Sequence, residues 1–181
     1  MKEVIDWEQY LSDKYAAIYG EDVVEFVRAD HYFNLYNQAN GLPYDLTLRA
    51  DITASATSGN DTAPLTLDGT PETVWEASDQ GAASLTYDLG GLYTLNELSV
   101  FFAGMEGDRF NATHNAKKIT VEISSNGSTW TAVSSVQENA ENQLCLPFDA
   151  IDGRYVRLTV SDPGESGIAR IADVNILGKA S

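Results

Sequence analysis

The segment Ala103-Gly104-Met105-Glu106-Gly107-Asp108-Arg109-Phe110-Asn111-Ala112-Thr113-His114-Asn115 concentrates the chain's most ligand-like side chains. Arg109, Asn111, His114 and Asn115 are planar hydrogen-bonding groups, and Phe110 places an aromatic surface among them. Sugar hydroxyls require such planar donors and acceptors, held beside an apolar surface that covers the C–H face of the ring. Arginine offers a rigid fork of donors to vicinal hydroxyls. His114 can donate to or accept from an axial hydroxyl, which favours galactose-type sugars over glucose. The competing reading of the same residues is an ordinary polar loop.

A second segment has cation chemistry. Calcium takes six to eight oxygens drawn from carboxylates, backbone carbonyls and hydroxyls. Leu65-Thr66-Leu67-Asp68-Gly69-Thr70-Pro71-Glu72-Thr73 can wrap an ion with that mixture, or can be a calcium-free turn. Catalytic constellations are missing from the sequence: there is no H-E-x-x-H, no G-x-S-x-G and no glycine-rich phosphate loop. The many carboxylates read as solvated acidic loops, although a chance glycosidase-like couple stays open. The single cysteine, Cys145, cannot form an internal disulfide, and its flanking leucines suggest a small buried apolar residue. His31 and His114 are the two histidines, and His31 reads as a surface or packing residue.

Elements must position these groups. The 181 residues suit one domain with a short appendage. Eleven Lys+Arg against 27 Asp+Glu leave a net charge of −16, which excludes the basic face that nucleic acid or anionic lipid requires. No run approaches the ~18 apolar residues of a membrane span, and the first residues carry no signal-peptide pattern. Residues 1–45 read as a helical segment, a linker or the end of a preceding domain. Val4, Trp7, Leu11, Tyr15 and Ile18 share one helical face as far as Gly20, and Val23, Phe26, Phe33 and Tyr36 continue the spacing until Gly41 and Pro43.

From residue 46 to 181 the texture is β. Candidate strands are Asp51–Ala56, Ala83–Asp88, Leu95–Phe102, Lys118–Ser124, Thr129–Ser134, Gln143–Pro147, Tyr155–Val160 and Ile171–Leu177. Short strands with no helix-length gap predict a mainly β fold, a jelly-roll β-sandwich carrying an N-terminal helical segment. Asp68-Gly69 and Asn126-Gly127 mark turns, and Trp75 and Trp130 are expected to fill the core.

Several segments, taken in order, resemble the discoidin or coagulation-factor type C domain, and within it the bacterial family 32 carbohydrate-binding modules. Asp68-Gly69-Thr70-Pro71-Glu72-Thr73-Val74-Trp75 resembles "DG-x-x-x-T-x-W", and Asp88-Leu89-Gly90 resembles "DLG". Ser125-Asn126-Gly127-Ser128-Thr129-Trp130 is similar to "S-x-D-G-x-x-W", with Asn126 in the turn. Arg154-Tyr155-Val156-Arg157-Leu158 resembles "R-Y-V-R-L", and Ile171-Ala172-Asp173-Val174-Asn175-Ile176 resembles the closing "I-x-E-I-x-V", with Asp173 in place of Glu. The likeness spans roughly residues 50–178 and leaves the helical segment outside it.

The resemblance implies a galactose-binding-domain-like fold and a non-catalytic module for galactose- or N-acetylgalactosamine-type glycans. Such a module rides as an accessory on a secreted or surface glycoside hydrolase. It implies sugar contacts in the Arg109, Phe110, Asn111, His114 and Asn115 loop, and a structural role for Arg157. It implies a structural calcium held by the Asp68 carboxylate, the Thr73 hydroxyl and carbonyl and the carbonyls of Leu65 and Thr70, closed by Asp173. A monomer with an extracellular or cell-surface location is expected, without nucleic-acid or membrane partners. Two rivals remain open: a sandwich that only buttresses a catalytic domain, and a protein-binding discoidin domain.

Overall fold

The structure is a computed structural model that describes residues 34–48, 53–56, 62–69, 73–102 and 114–181. The chain divides into two compact units, Met1–Tyr44 and Asp45–Ser181. In the first unit, residues 34–39 are helical and the turn at 40–41 closes them, with Gly41 at φ 66° where a left-handed cap favours glycine. Leu35, Tyr36 and Leu42 of this unit are exposed. The earlier helix read from the sequence, and most of the second, lie outside the described residues.

The second unit is built on antiparallel strands: β1 (Tyr44–Asp45), β2 (Thr53–Ala56), β3 (Trp75–Glu76), β4 (Ala83–Phe102), β5 (Lys118–Ser124), β6 (Thr131–Val136), β7 (Gln143–Asp162) and β8 (Arg170–Ala180). Their order is β1-β8-β4-β7-β5-β6, with β2 added to β4 and β3 to β8. The expected mainly β architecture is therefore present. Four of the short strands anticipated from the sequence are joined in pairs: Ala83–Asp88 with Leu95–Phe102 as β4, and Gln143–Pro147 with Tyr155–Val160 as β7. Gly90-Gly91 and Asp152-Gly153 suggest breaks, yet the ladder passes them through register shifts between Asp88 and Tyr93 and between Leu95 and Glu97. The first half of β4 pairs with β2 and β7, and its second half with β7 and β8. Two sets of strands thus share the same two long ones.

Period-two alternation explains the core. Ile119, Val121 and Ile123 of β5 point inward with Leu85, Tyr87 and Leu89, Leu98 and Val100, and Val156, Leu158 and Val160. Trp75 is completely buried. Two glycines mark close approaches. A Cβ at Gly178 would lie 2.7 Å from Leu95 Cδ2 and 2.9 Å from the Thr94 carbonyl oxygen, and one at Gly153 would collide with the Ile123 side chain. Both are backbone seats for neighbouring strands rather than loop glycines.

Two sequence expectations are corrected here. Cys145 is exposed, because in a strand its flanking leucines point to the other face, and Leu146 is the buried one. Trp130 is half-buried, outside the core. It lies just before β6, and the Arg157 guanidinium sits 4.2 Å from its ring centroid. Arg157 also donates through Nε to Glu122, 2.7 Å away and directly opposite it in the β5–β7 register. Arg157 thus roofs the tryptophan, which is a structural role.

Truncating the two tryptophans should separate these roles. Trp75→Ala removes a fully buried ring and is expected to cost about 3–5 kcal/mol. Trp130→Ala should cost clearly less and leave the sandwich folded. Equal losses of melting temperature in the two variants would contradict the half-buried placement.

Candidate functional site

Two clusters gather the groups capable of binding. The first lies where the 3-10 turn Ala63–Leu67 meets β8. Pro64 and the Asp68-Gly69 pair shape this turn, with Gly69 at φ 71°. Thr66 Oγ1 donates to the Ala63 carbonyl at 2.8 Å and lies 3.1 Å from the buried Tyr87 hydroxyl. Burial, chiefly, keeps that hydroxyl strongly protonated, and the Asp173 charge reinforces the effect. Thr73 Oγ1 donates to Asp68 Oδ2 at 2.6 Å.

Asp173 is buried, and its Oδ1 has no hydrogen-bond partner among the described residues. Burial first, and then the charges of Asp68 and Asp45, push its carboxyl up to about 7, against backbone hydrogen bonds at Val174 and Gly69. Asp45, nearby, accepts from Thr47 and from Asn175 Nδ2 at 2.9 Å, and its own carboxyl is raised by burial. A buried carboxylate oxygen without a donor is costly unless a positive charge faces it. Asp173, Asp68 and the Thr73 hydroxyl on Asp68 are the oxygen groups that the structure brings near one another here. Among the described residues no three carboxylate, histidine or thiol groups gather as a metal cluster. Thr70, the other expected carbonyl ligand, lies outside the described residues.

The second cluster lies at the entry to β5. Arg109, Phe110 and Asn111 lie outside the described residues, while His114 and Asn115 lie within them. Asn115 does not face a ligand. It is fully buried, and its Nδ2 donates to the Glu141 carbonyl at 2.9 Å and to Asn142 Oδ1 at 2.8 Å. Asn139 adds a parallel stitch: its Nδ2 donates to the Ala116 and Glu141 carbonyls, and its Oδ1 accepts from the Glu141 amide. Together they fasten residues 115–116 to the segment before β7. Asn115, expected from the resemblance to contact sugar, is placed by the structure in this buried anchor, with its Nδ2 hydrogens on Glu141 and Asn142.

His114 is partly exposed beside this anchor, and its Nδ1 lies 2.8 Å from Arg170 NH1. Arg170 Nε donates to Glu76 Oε2 at 2.6 Å. Glu76 and Arg170 are directly opposed on β3 and β8. Sequence reasoning did not find this pair. Glu76 directly follows the Trp75 motif and Arg170 directly precedes the last strand motif, but their meeting depends on a cross-strand register that no local pattern displays.

The comparisons with known proteins agree with this architecture. The F5/8 type C domain model matches residues 51–174. A similar fold occurs in CpGH89CBM32-5 from Clostridium perfringens, solved in complex with GalNAc-β-1,3-galactose: 23% identity, TM-score 0.61, covering 69% of this chain and 94% of that one. The family 32 carbohydrate-binding module of Clostridium perfringens NanJ, solved with galactose, is similar at 23% identity and TM-score 0.63, covering 75% and 99%. The family 89 glycoside hydrolase from Clostridium perfringens matches at 23% identity and TM-score 0.61, over 76% of this chain and 15% of that much longer one. At these identities the structural likeness is one of fold.

Anchoring by Asn115 has a measurable consequence. Asn115→Ala removes two hydrogen bonds, one to the Glu141 carbonyl, which keeps its Asn139 donor, and one to Asn142 Oδ1, and should cost about 1 kcal/mol. Amide exchange at Asn139 and Glu141 should accelerate with it. Unchanged melting temperature and exchange would show that the anchor contributes nothing. On the family-model match over residues 51–174, this chain belongs to the F5/8 type C domain family.

Proposed function

We propose that the Asp45–Ser181 unit is a non-catalytic carbohydrate-binding module for galacto-configured sugars, acting as an accessory to a larger secreted or surface glycoside hydrolase. The observation that carries this reading is the F5/8 type C match together with fold neighbours solved with galactose and with GalNAc-β-1,3-galactose. The chain's own residues are compatible with it. His114 stands partly exposed at the end of the segment that also holds Arg109, Phe110 and Asn111, next to a base fastened by Asn115. The arginine would take vicinal hydroxyls, the phenylalanine the apolar sugar face, and the histidine an axial oxygen. Tethering to an insoluble or multivalent glycan raises the effective concentration of an attached enzyme, which is the use of a weak module.

A shallow site with a handful of polar contacts should bind with a dissociation constant on the order of 0.1–1 mM. Titration of galactose, N-acetylgalactosamine and lactose by calorimetry or NMR checks this. Arg109→Ala should abolish binding without altering the melting temperature. A chain that binds none of the three sugars would leave the buttressing sandwich as the better account.

Calcium belongs to the same reading as a structural ion. Asp68, Asp173, the Thr73 oxygens and the carbonyls of Leu65 and Thr70 would hold it, and its charge would offset the buried Asp173 carboxylate. An ion bound only by the folded state raises stability by mass action. Calcium should therefore raise the melting temperature of chelator-treated protein, and Asp173→Asn should remove the response. A wild-type melting temperature indifferent to calcium would overturn the proposed ion.

A further inference from the structure

The dipeptide Asn-Gly occurs twice in the sequence, at Asn40-Gly41 and Asn126-Gly127. Asparagine is thermolabile, and before a glycine, which has no side chain to shield its nitrogen, it deamidates without an enzyme. The glycine main-chain nitrogen loses its hydrogen to base and attacks the asparagine Cγ. A nitrogen–carbon bond forms, the bond from Cγ to Nδ2 breaks, and that nitrogen takes a proton from water and leaves as ammonia. Water then opens the cyclic imide to aspartate or isoaspartate. Both pairs are exposed, and both glycines take positive φ, 66° at Gly41 and 73° at Gly127. At Asn126 the reacting atoms are held apart. The Gly127 N–H donates to Ser124 Oγ at 2.9 Å, so the lone pair left by deprotonation would point at that oxygen rather than at the Asn126 Cγ. Ser124 is buried, and its hydroxyl donates in turn to Asn126 Oδ1 at 3.2 Å. The same Oδ1 accepts from the amides of Ser128 at 2.8 Å and Thr129 at 2.9 Å, so the carboxamide cannot turn without losing three hydrogen bonds. Gly127 is also seated on a ring: a Cβ there would lie 3.4 Å from Tyr155 Cε2.

Asn40 is held less firmly. Its Nδ2 donates to the Tyr36 carbonyl at 2.8 Å, and the Gly41 N–H reaches the Gln38 carbonyl at 3.3 Å. Among the described residues no donor reaches its Oδ1. It follows a helix of residues 34–39 only, and so short a helix opens readily. We propose that Asn40 is a site of spontaneous deamidation in this chain, and that Ser124 is a positioning residue that suppresses the same reaction at Asn126. The two sites differ in consequence. Isoaspartate at position 126 would add a methylene to the main chain between β5 and β6 and lift Gly127 from Tyr155, next to Trp130 and its Arg157 cover. At position 40 the change falls in the Met1–Tyr44 unit.

Ageing the full chain at mildly alkaline pH, with and without denaturing urea, tests both halves in one sample. Mass spectrometry of its peptides, with isoaspartate detection, follows each asparagine separately. In the folded chain Asn126 should react on the order of a hundredfold more slowly than in urea, the scale of the hydrogen bonds that must open first. Asn40 should stay within about tenfold of its rate in urea. Ser124→Ala should speed Asn126 about tenfold, because Oδ1 keeps its two amide donors while the Gly127 nitrogen is released, and should leave Asn40 unchanged. Ser124→Thr, which keeps the hydroxyl, should hold Asn126 near the wild-type rate. Ser124→Cys, with a weak hydrogen-bonding thiol of similar size, supplies a second variant with a smaller acceleration should Ser124→Ala not fold. Asn126 reacting as fast in the folded chain as in urea overturns the protection. A slow Asn126 in a folded Ser124→Ala chain, or an Asn40 that accelerates equally with Asn126, overturns the positioning role of Ser124. Asn40 left intact in the folded chain after it has reacted in urea overturns the site at Asn40.

Discussion

The pairing of β4 with β7 is the constraint on which the rest of the molecule depends. Each strand runs twenty residues, and each lies inside the sheet order with neighbours on both sides. In a strand of period two, a slip of one residue would turn Leu85, Tyr87, Val156 and Leu158 outward together, so one buried face fixes the register of the whole ladder. The two register shifts are what allow such long strands to serve two sets of partners. The first occurs beside Gly90-Gly91 and Gly153, where absent side chains let the pairing step, and the second lies between Leu95 and Glu97, opposite Ile151 and Pro147. Close seating repeats at Gly178, which faces Leu95 across β8 and β4. Here the glycines provide room for neighbouring strands, and chain flexibility is secondary.

Strand β8 brings the consequences of that ladder to both clusters. Arg170 begins it and reaches Glu76 and His114, while Asp173 lies three residues later against Asp68. Ile171, Ala172, Asp173 and Val174 are buried in succession, so both faces of the strand are covered here. A register shift between Phe101 and Phe102 lies opposite them, where Asp173 and Ile171 pair with adjacent residues and Ala172 is passed over. A single irregularity thus delivers a carboxylate to the interior within one turn of chain from an arginine at the surface.

Much of this was legible in the sequence, for a physical reason. Alternation is a local property, so Ile119, Val121 and Ile123 announce their strand and its inner face unaided. The Asp68-Gly69 and Asn126-Gly127 turns are equally local: Gly69 and Gly127 take positive φ, and Asn126 Oδ1 accepts from the amides of Ser128 and Thr129. Motif order then led to the family. What the sequence obscured depends on pairing between distant strands. Gly90-Gly91 suggests the end of a strand, yet pairing with β7, interrupted after Asp88, resumes at Tyr93 in the same strand. Trp130 reads as core although Arg157, twenty-seven positions later, covers it from outside. Asn115 reads as a ligand group because nothing local reveals the carbonyls of the segment before β7 that claim it. His114 was found by type, but its partners Glu76 and Arg170 required the register.

Cys145 illustrates how a neighbouring side chain alters surface chemistry. It stands exposed on β7, opposite Ser99 of β4, and hydrogen bonding with Glu97 is the main cause that raises its thiol above the usual range. Thiol reagents and oxidants attack the thiolate, so this sulfur is slower to react than its exposure suggests. No second cysteine within these 181 residues can pair with it. The carboxylate beside it therefore slows the covalent chemistry of the one cysteine in the sequence.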